Sequence, residues 1–248
     1  MADLSVKGLS NKKHRCMFLE VLPNELLVEI IAKVASSSIV DLCRVKLTCK
    51  QFLHAAEDDY VYQHVSMDKF PLVPLAWFTN EKILSFFKRC RESKNLEILY
   101  RDGMVQYFKS MRVKSGLENL KKAALGGQDE AKYVYCMLLM MCCEDQQERK
   151  HGFDLFYSLK TFNCVSRCRE RVKSFIKSMW GINNLIVRNH KLSLCHSNTC
   201  CNSVRLQKLS RRWSWLVEDE DGDGDNGISC QYCDGNYELS LFCKMFKV

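Results

Sequence analysis

Apolar side chains recur every three or four residues through most of this chain. In "LPNELLVEIIAKV" (22–34), Leu26, Leu27, Ile30, Ile31 and Val34 fall on helical spacing. Pro23 can open that helix, because the first helical NH has no partner to lose, and Glu25 meets the positive end of the helix dipole. The pattern predicts a helix from Pro23 to about Val34. The serines at 36–38 break it and offer an N-cap to the next segment. A second helical stretch is expected over 39–56, with Leu42, Val45, Cys49, Phe52 and Ala56 at three- and four-residue spacing. Pro71 and Pro74 mark a boundary after it. Residues 1–17 are polar, basic and aperiodic, and read as a loose tail.

Beyond the prolines the pattern repeats. "NLEILYRDG" from Asn95 aligns with "QDEAKYVYC" from Gln128 at an offset of 33 residues, which pairs Asn95 with Gln128, Glu97 with Glu130, Ile98 with Ala131 and Tyr100 with Tyr133. Upstream, Phe87 and Cys90 match Leu120 and Ala123, and "GLENLKKA" from Gly116 resembles "GFDLFYSL" from Gly152 at an offset of 36. A period in the mid-thirties is the mark of stacked helix-turn-helix repeats. Each helix pair in such an array buries a face only by stacking on its neighbour. "AALGGQDEAKY" resembles the Sel1-like branch of the tetratricopeptide repeats. Residues 164–180 predict one more helix, with Val165, Cys168, Val172, Phe175, Ile176 and Met179 opposite a basic face. Basic amphipathic helices can bind membranes or calmodulin; here the expectation is a helix that caps the array.

Composition fits a helical, globular chain. Of 248 residues, 3 are Pro and 11 are Gly, with 47% hydrophobic and 27% charged. No signal-peptide pattern opens the sequence. The longest apolar run, Tyr133 to Cys143, is well short of the roughly 20 residues of a membrane span. A soluble protein of the nucleus and/or cytoplasm is expected. The net charge of +8 conceals an asymmetry: six acids fall in residues 218–225, so the rest of the chain stands at +14. Basic surfaces can serve nucleic acid, membranes or acidic proteins. Only "NKKHR" and "RRW" are locally dense, which favours a solvated basic face over a nucleic-acid footprint.

One constellation is more specific. "LPNELLVEII", a serine break and "DLCRVKLTCKQF" resemble an F-box, whose pattern is Leu-Pro-x-Glu-Leu, an apolar helix, Asp-Leu, and a closing Cys-Lys-x-Trp/Phe. Leu22, Pro23, Glu25, Leu26, Ile30, Asp41, Leu42, Cys49, Lys50 and Phe52 fall on it. Val34-Ala35 and the serines replace the second Leu-Pro that often precedes Asp-Leu. The resemblance implies docking onto the Skp-type adaptor of a cullin-RING ubiquitin ligase, with the remaining chain presenting a target. Leu22, Pro23, Leu26, Ile30, Leu42, Cys49 and Phe52 would make that contact, with Glu25 and Lys50 setting its polar register. A box of some forty residues with apolar side chains on several faces cannot bury them all within itself. The downstream text, "DDYVYQHVSMDKFPLVPLAW" and then the repeats, resembles a plant F-box family with a Cys-rich tail.

Fifteen cysteines raise the question of disulfides or metal. Cys43, Cys49, Cys136, Cys142 and Cys143 lie inside helical patterns, where a thiol acts as a small hydrophobe. A reducing compartment is expected. The tail differs: Cys195 and Cys200, then Cys230 and Cys233, could give four thiolates to one structural zinc, with His196 or Cys201 as substitutes. "DEDGDG" (219–224) matches half an EF-hand loop, but Cys230 stands where a bidentate Glu is required. No Gly-rich phosphate loop or G-x-S-x-G occurs, and Cys195 beside His196 is sequence adjacency alone, so no enzyme is expected.

The fold expected is therefore mainly α. A flexible tail (1–17) leads to the F-box and its following segment (18–75), then Sel1/tetratricopeptide-like repeats (76–163), a capping helix (164–190) and a Cys-rich tail with an acidic loop (191–248). The function expected is target recognition for an SCF (Skp–cullin–F-box) ubiquitin ligase. The alternative is a zinc-stabilised helical protein that binds nucleic acid through its basic surface.

Overall fold

A computed structural model describes residues 22–73, 80–179, 181–182 and 230–246. Every regular element among them is helical, and the chain divides after Val65 into two compact units.

The first unit holds α1 (Asn24–Ser37), α2 (Ile39–Lys46), α3 (Lys50–Ala55) and α4 (Asp59–His64). Pro23 is the N-cap of α1. That helix runs past Val34 to Ser37, with the Ser36 and Ser37 hydroxyls donating to the Lys33 carbonyl at 2.8 and 3.1 Å. Only Ser38 leaves the helix, and its extended backbone and hydroxyl cap α2 by accepting from Asp41 N at 3.2 Å. The stretch expected as one helix over 39–56 is two. Thr48 donates its hydroxyl to the Val45 carbonyl at 2.7 Å, and Cys49 accepts from Phe52 N at 3.5 Å to start α3. Side chains that bond their own backbone offer an alternative to the helix, and the interruption leaves the apolar positions in phase. α1 packs against the other three helices, burying Leu27, Val28, Ile31, Ala32 and Ala35. Leu42, Ala55, Val61 and Tyr62 are the buried residues of its neighbours.

The second unit carries three helical hairpins: α5 (Glu81–Glu92) with α6 (Leu96–Met104), α7 (Val113–Leu125) with α8 (Asp129–Cys142), and α9 (Gln146–Thr161) with α10 (Val165–Ser178). A last helix, α11, spans Gln231–Met245. The three hairpin turns are built alike. Lys94, Gly127 and Asn163 have φ of 60°, 98° and 53°. The next NH reaches back in each case: Asn95 to the Cys90 carbonyl (2.9 Å), Gln128 to Ala123 (3.0 Å) and Cys164 to Leu159 (3.0 Å). This is the left-handed cap that closes a helix and frees the chain to reverse. Asn95 and Gln128 then turn their side chains to cap α6 and α8. The aligned pairs Phe87 and Leu120, Cys90 and Ala123, Ile98 and Ala131, and Tyr100 and Tyr133 are all buried.

Gly116 and Gly152 let neighbouring helices close up. A Cβ on Gly116 would sit 2.6 Å from Tyr107 N, and one on Gly152 would sit 2.8 Å from Leu139 Cβ. α8 lies centrally, against α7, α9, α10 and α11. Its run Tyr133–Met141 is therefore buried on every side, as expected of a helix surrounded by others. Among the described residues no helix is long and apolar enough to cross a membrane. The segment that begins this unit is tied to α6 by Arg101, which donates to the carbonyls of Met67, Phe70 and Pro71 at 3.1–3.2 Å while paired with Glu97 at 2.8 Å.

Candidate functional site

Burying one face of α1 leaves another outside. Leu26 and Ile30, one turn apart and so on the same side of the helix, are 48% and 51% exposed. Pro23 and Glu25 are exposed beside them, and Leu22 is half-buried. Leu47, at the end of α2, is 86% exposed, and Val40, Leu53 and Tyr60 are exposed too. An open groove of about 620 Å³ runs between the start of α1 and α3, lined by Asn24, Val28, Lys50, Leu53, His54 and Asp58 among others. Large apolar side chains are concentrated on this side of a small unit, where nothing among the unit's described residues covers them.

The residues expected to make a contact divide into two sets. Leu26 and Ile30 stand ready on α1, Lys50 is exposed, and Phe52 is half-buried. Leu42 is 1% exposed, so it holds α2 to the core and offers nothing to a partner. Cys49 is exposed, and its sulfur is engaged as the N-cap of α3. Sequence reasoning missed Val40, Leu47, Leu53 and Tyr60. A signal was present, since Val40, Leu47 and Leu53 all lie off the Leu42–Val45–Cys49–Phe52 stripe.

A polar clamp fixes the shape behind this surface. Lys46 Nζ donates to Glu57 Oε1 at 2.8 Å and to the Tyr62 hydroxyl at 2.9 Å, and that hydroxyl donates to Glu57 Oε2 at 2.8 Å. Burial lowers the Lys46 pKa, but the bonds to Glu57 and Tyr62 outweigh it and leave the ammonium above its usual value. The clamp joins α2 to α4 across the α3 turn.

In the second unit the basic face expected on α10 is largely answered from within. Arg167 reaches Asp129 at 2.6 Å, Arg171 reaches Glu130 at 3.0 Å, and Arg169 makes a forked bond to Glu238 at 2.9 and 2.7 Å. Guanidinium groups held by carboxylates of the same unit are poorly placed to meet phosphates. A cavity of about 270 Å³ also opens beside α5 and α6, against Leu72, Val73, Phe87 and Ile98. Its charged wall is occupied, because Arg91 grips Asp102 through two nitrogens.

Of the four sulfurs read as zinc donors, Cys195 and Cys200 lie outside the described residues, as does the acidic run 218–225. Cys230 stands at the start of α11, and Cys233 is buried and disulfide-bonded. A disulfide sulfur is not a thiolate donor, so a zinc site on this quartet would first require that bond to be reduced. Among the described residues no group of three or more His, Cys, Asp or Glu is placed to hold a metal.

Comparison with known proteins divides the chain at the same place. Residues 19–68 match the family described as F-box-like, and residues 68–177 match the family of plant tetratrico peptide repeats. The narrower Sel1-like assignment gains no support from that match. An Arabidopsis thaliana protein named as an F-box protein is 34% identical over 122 residues, covering 49% of this chain and 73% of its own. A second from the same plant, also carrying an F-box name, is 28% identical over 237 residues, covering 93% of this chain and 77% of its own. A third is 28% identical over 122 residues, covering 48% and 32%. No solved structure gives a significant match.

Proposed function

The chain belongs to the F-box protein family, and from that premise we propose that it is the target-recognition subunit of an SCF ubiquitin ligase, joined through its first unit to a Skp-type adaptor. F-box proteins generally act in such ligases as substrate receptors and are typically not catalytic. The observation that carries the reading for this chain is the exposed apolar surface of Leu26, Ile30, Leu47 and Leu53 on a unit of four short helices. Docking of such helices into a complementary groove would remove it from water. The repeats would hold the target. Holding a target lysine near a charged ubiquitin carrier raises its effective concentration, so the chain contributes to rate by proximity, with no bond chemistry of its own. Nucleus and cytoplasm are the compartments that suit this role.

Copurification tests it. The full chain should capture a Skp-type adaptor, and Leu26→Ala with Ile30→Ala should reduce the affinity by about tenfold or more, the scale of lost interface anchors. A correctly folded wild-type chain that captures no adaptor overturns the proposal.

A further inference from the structure

The last helix sits in the repeat array much as a bound peptide would. Residues 179–230 separate α11 from the end of α10 in sequence, yet α11 lies against α8 and α10. Its apolar contacts include three aromatic pairs. Phe242 meets Tyr133 edge-on at 5.8 Å, Phe246 lies over Phe108 at 4.6 Å, and Tyr232 stacks on Phe153 at 4.7 Å. Between them is a carboxylate. Glu238, 4% exposed, accepts from the Tyr133 hydroxyl at 2.6 Å and from Arg169 Nε and Nη2 at 2.9 and 2.7 Å.

A helix needed only to complete a core would not require this group. A buried ion pair adds little net stability over apolar packing. What it supplies is identity and register, because three donors from two array helices converge on one carboxylate in a forked geometry. The repeat one step earlier makes the same point. Tyr100 aligns with Tyr133 and is also buried, at 2% exposed, but among the described residues its hydroxyl has no hydrogen-bond partner. A buried tyrosine hydroxyl is thus not required to hold this array together. At Tyr133 it has a carboxylate from outside the hairpins to bind.

We propose that the groove of α8, α9 and α10, closed at one end by Phe108 and occupied by α11, is the target-recognition site of the repeats. It takes an amphipathic helix with a Glu and aromatic residues four and eight positions later, the pattern of Glu238, Phe242 and Phe246, and α11 fills it in cis. This rests on the reading that the repeats carry the target. A tethered helix competes at high effective concentration, so only a target helix that satisfies Arg169 and Tyr133 as well as α11 does displaces it.

The test uses the full chain in reducing buffer, which opens the Cys233 disulfide. The probe is a labelled peptide of residues 230–246 carrying Cys230→Ser, Cys233→Ser and Cys243→Ser. Wild type should bind it weakly, and a chain whose own helix is weakened by Glu238→Ala and Phe242→Ala should bind it about tenfold tighter or more. A Glu238→Gln peptide should lose most of that gain, and Arg169→Ala in the chain should erase the difference between the two peptides. Equal binding to wild-type and weakened chains overturns the proposal. So does hydrogen exchange showing that α7 to α9 open together with α11, since the helix would then be core. Adaptor capture is read on the same samples. Peptide binding without adaptor capture removes the ligase assignment and leaves the groove, and adaptor capture without peptide binding does the reverse.

Discussion

Apolar side chains stay outside in the first unit, while charged ones are drawn inward in the second. Leu26, Ile30, Leu47 and Leu53 face water around a core of Leu27, Ile31, Leu42 and Val61 with Ala32, Ala35 and Ala55. In the repeats, α8 buries Tyr133 to Met141, Arg101 closes on Glu97, and Arg169 closes on the buried Glu238. Size accounts for part of this, since a short segment cannot enclose its own hydrophobic surface. Purpose accounts for the rest. On the two proposals above, the exposed apolar side chains join another chain, whereas Arg169, through its bond to Glu238, sets which segment the array holds and in what register.

The sharpest way to break that comparison is to exchange buried for exposed leucine within the first unit. Leu42→Ala removes a fully buried side chain and should cost about 2–5 kcal/mol of stability. Leu26→Ala and Ile30→Ala should each stay within about 1 kcal/mol, since both are half in water already, yet abolish most adaptor capture. Denaturant unfolding and pull-down separate the two effects. Were Leu26→Ala to unfold the chain and Leu42→Ala to leave it stable, the division into core and docking surface would be wrong.

A smaller loss should be confined to the second unit. Gly116→Ala puts a methyl against the Tyr107 backbone at 2.6 Å, where nothing flexible can yield. Overpacking of this kind costs about 1–3 kcal/mol. Hydrogen exchange should rise in α6, α7 and α8 and not in α1 to α4. Uniform acceleration across both units would mean that they do not unfold separately.

Much of this was legible in the sequence because repetition and periodicity are physical constraints. The 33-residue offset found the buried pairs, and it also placed Asn95 and Gln128, which prove to be equivalent N-caps. Leu26 and Ile30 on α1 came from a motif resemblance. The break between α2 and α3 was not visible, since Thr48 and Cys49 interrupt the helix without disturbing its apolar phase. Leu42 was assigned to the surface because motif agreement does not say which way a side chain faces. Arg169 and Glu238 were beyond reach altogether. They are far apart in the chain, and no local pattern pairs an arginine with a distant glutamate.

A cap tests the local half of this argument. Ser38→Ala removes the acceptor for Asp41 N and should cost about 1 kcal/mol. The loss should appear as lower thermal stability, with the exposed leucines still able to capture adaptor at low temperature. A loss of capture out of proportion to stability would place Ser38 in the interface itself.

The smallest effect expected is one of alkaline pH, and it should begin earlier in the repeats. Burial, followed by the nearby Glu130 and Asp129 charges, pushes the Cys168 thiol up to about 12 from an ordinary 9.0. Burial also raises Cys136 and Tyr133. A thiol whose folded pKa is raised keeps its proton in the native state while the unfolded chain loses it. The stability concerned is therefore complete below pH 9 and falls as pH rises from 9 toward 12. In the first unit Lys46 and Tyr62 are both raised, so the clamp's contribution is complete below about pH 10 and fades only above it. Thermal midpoints of the full chain should fall steadily from pH 9 to pH 11, and the slope should be shallower in Cys168→Ala, whatever that variant's stability at neutral pH. An unchanged slope would mean that the Cys168 thiol titrates in the folded chain much as it does in the unfolded one, and that its burial beside α8 is not what makes the repeats sensitive to base.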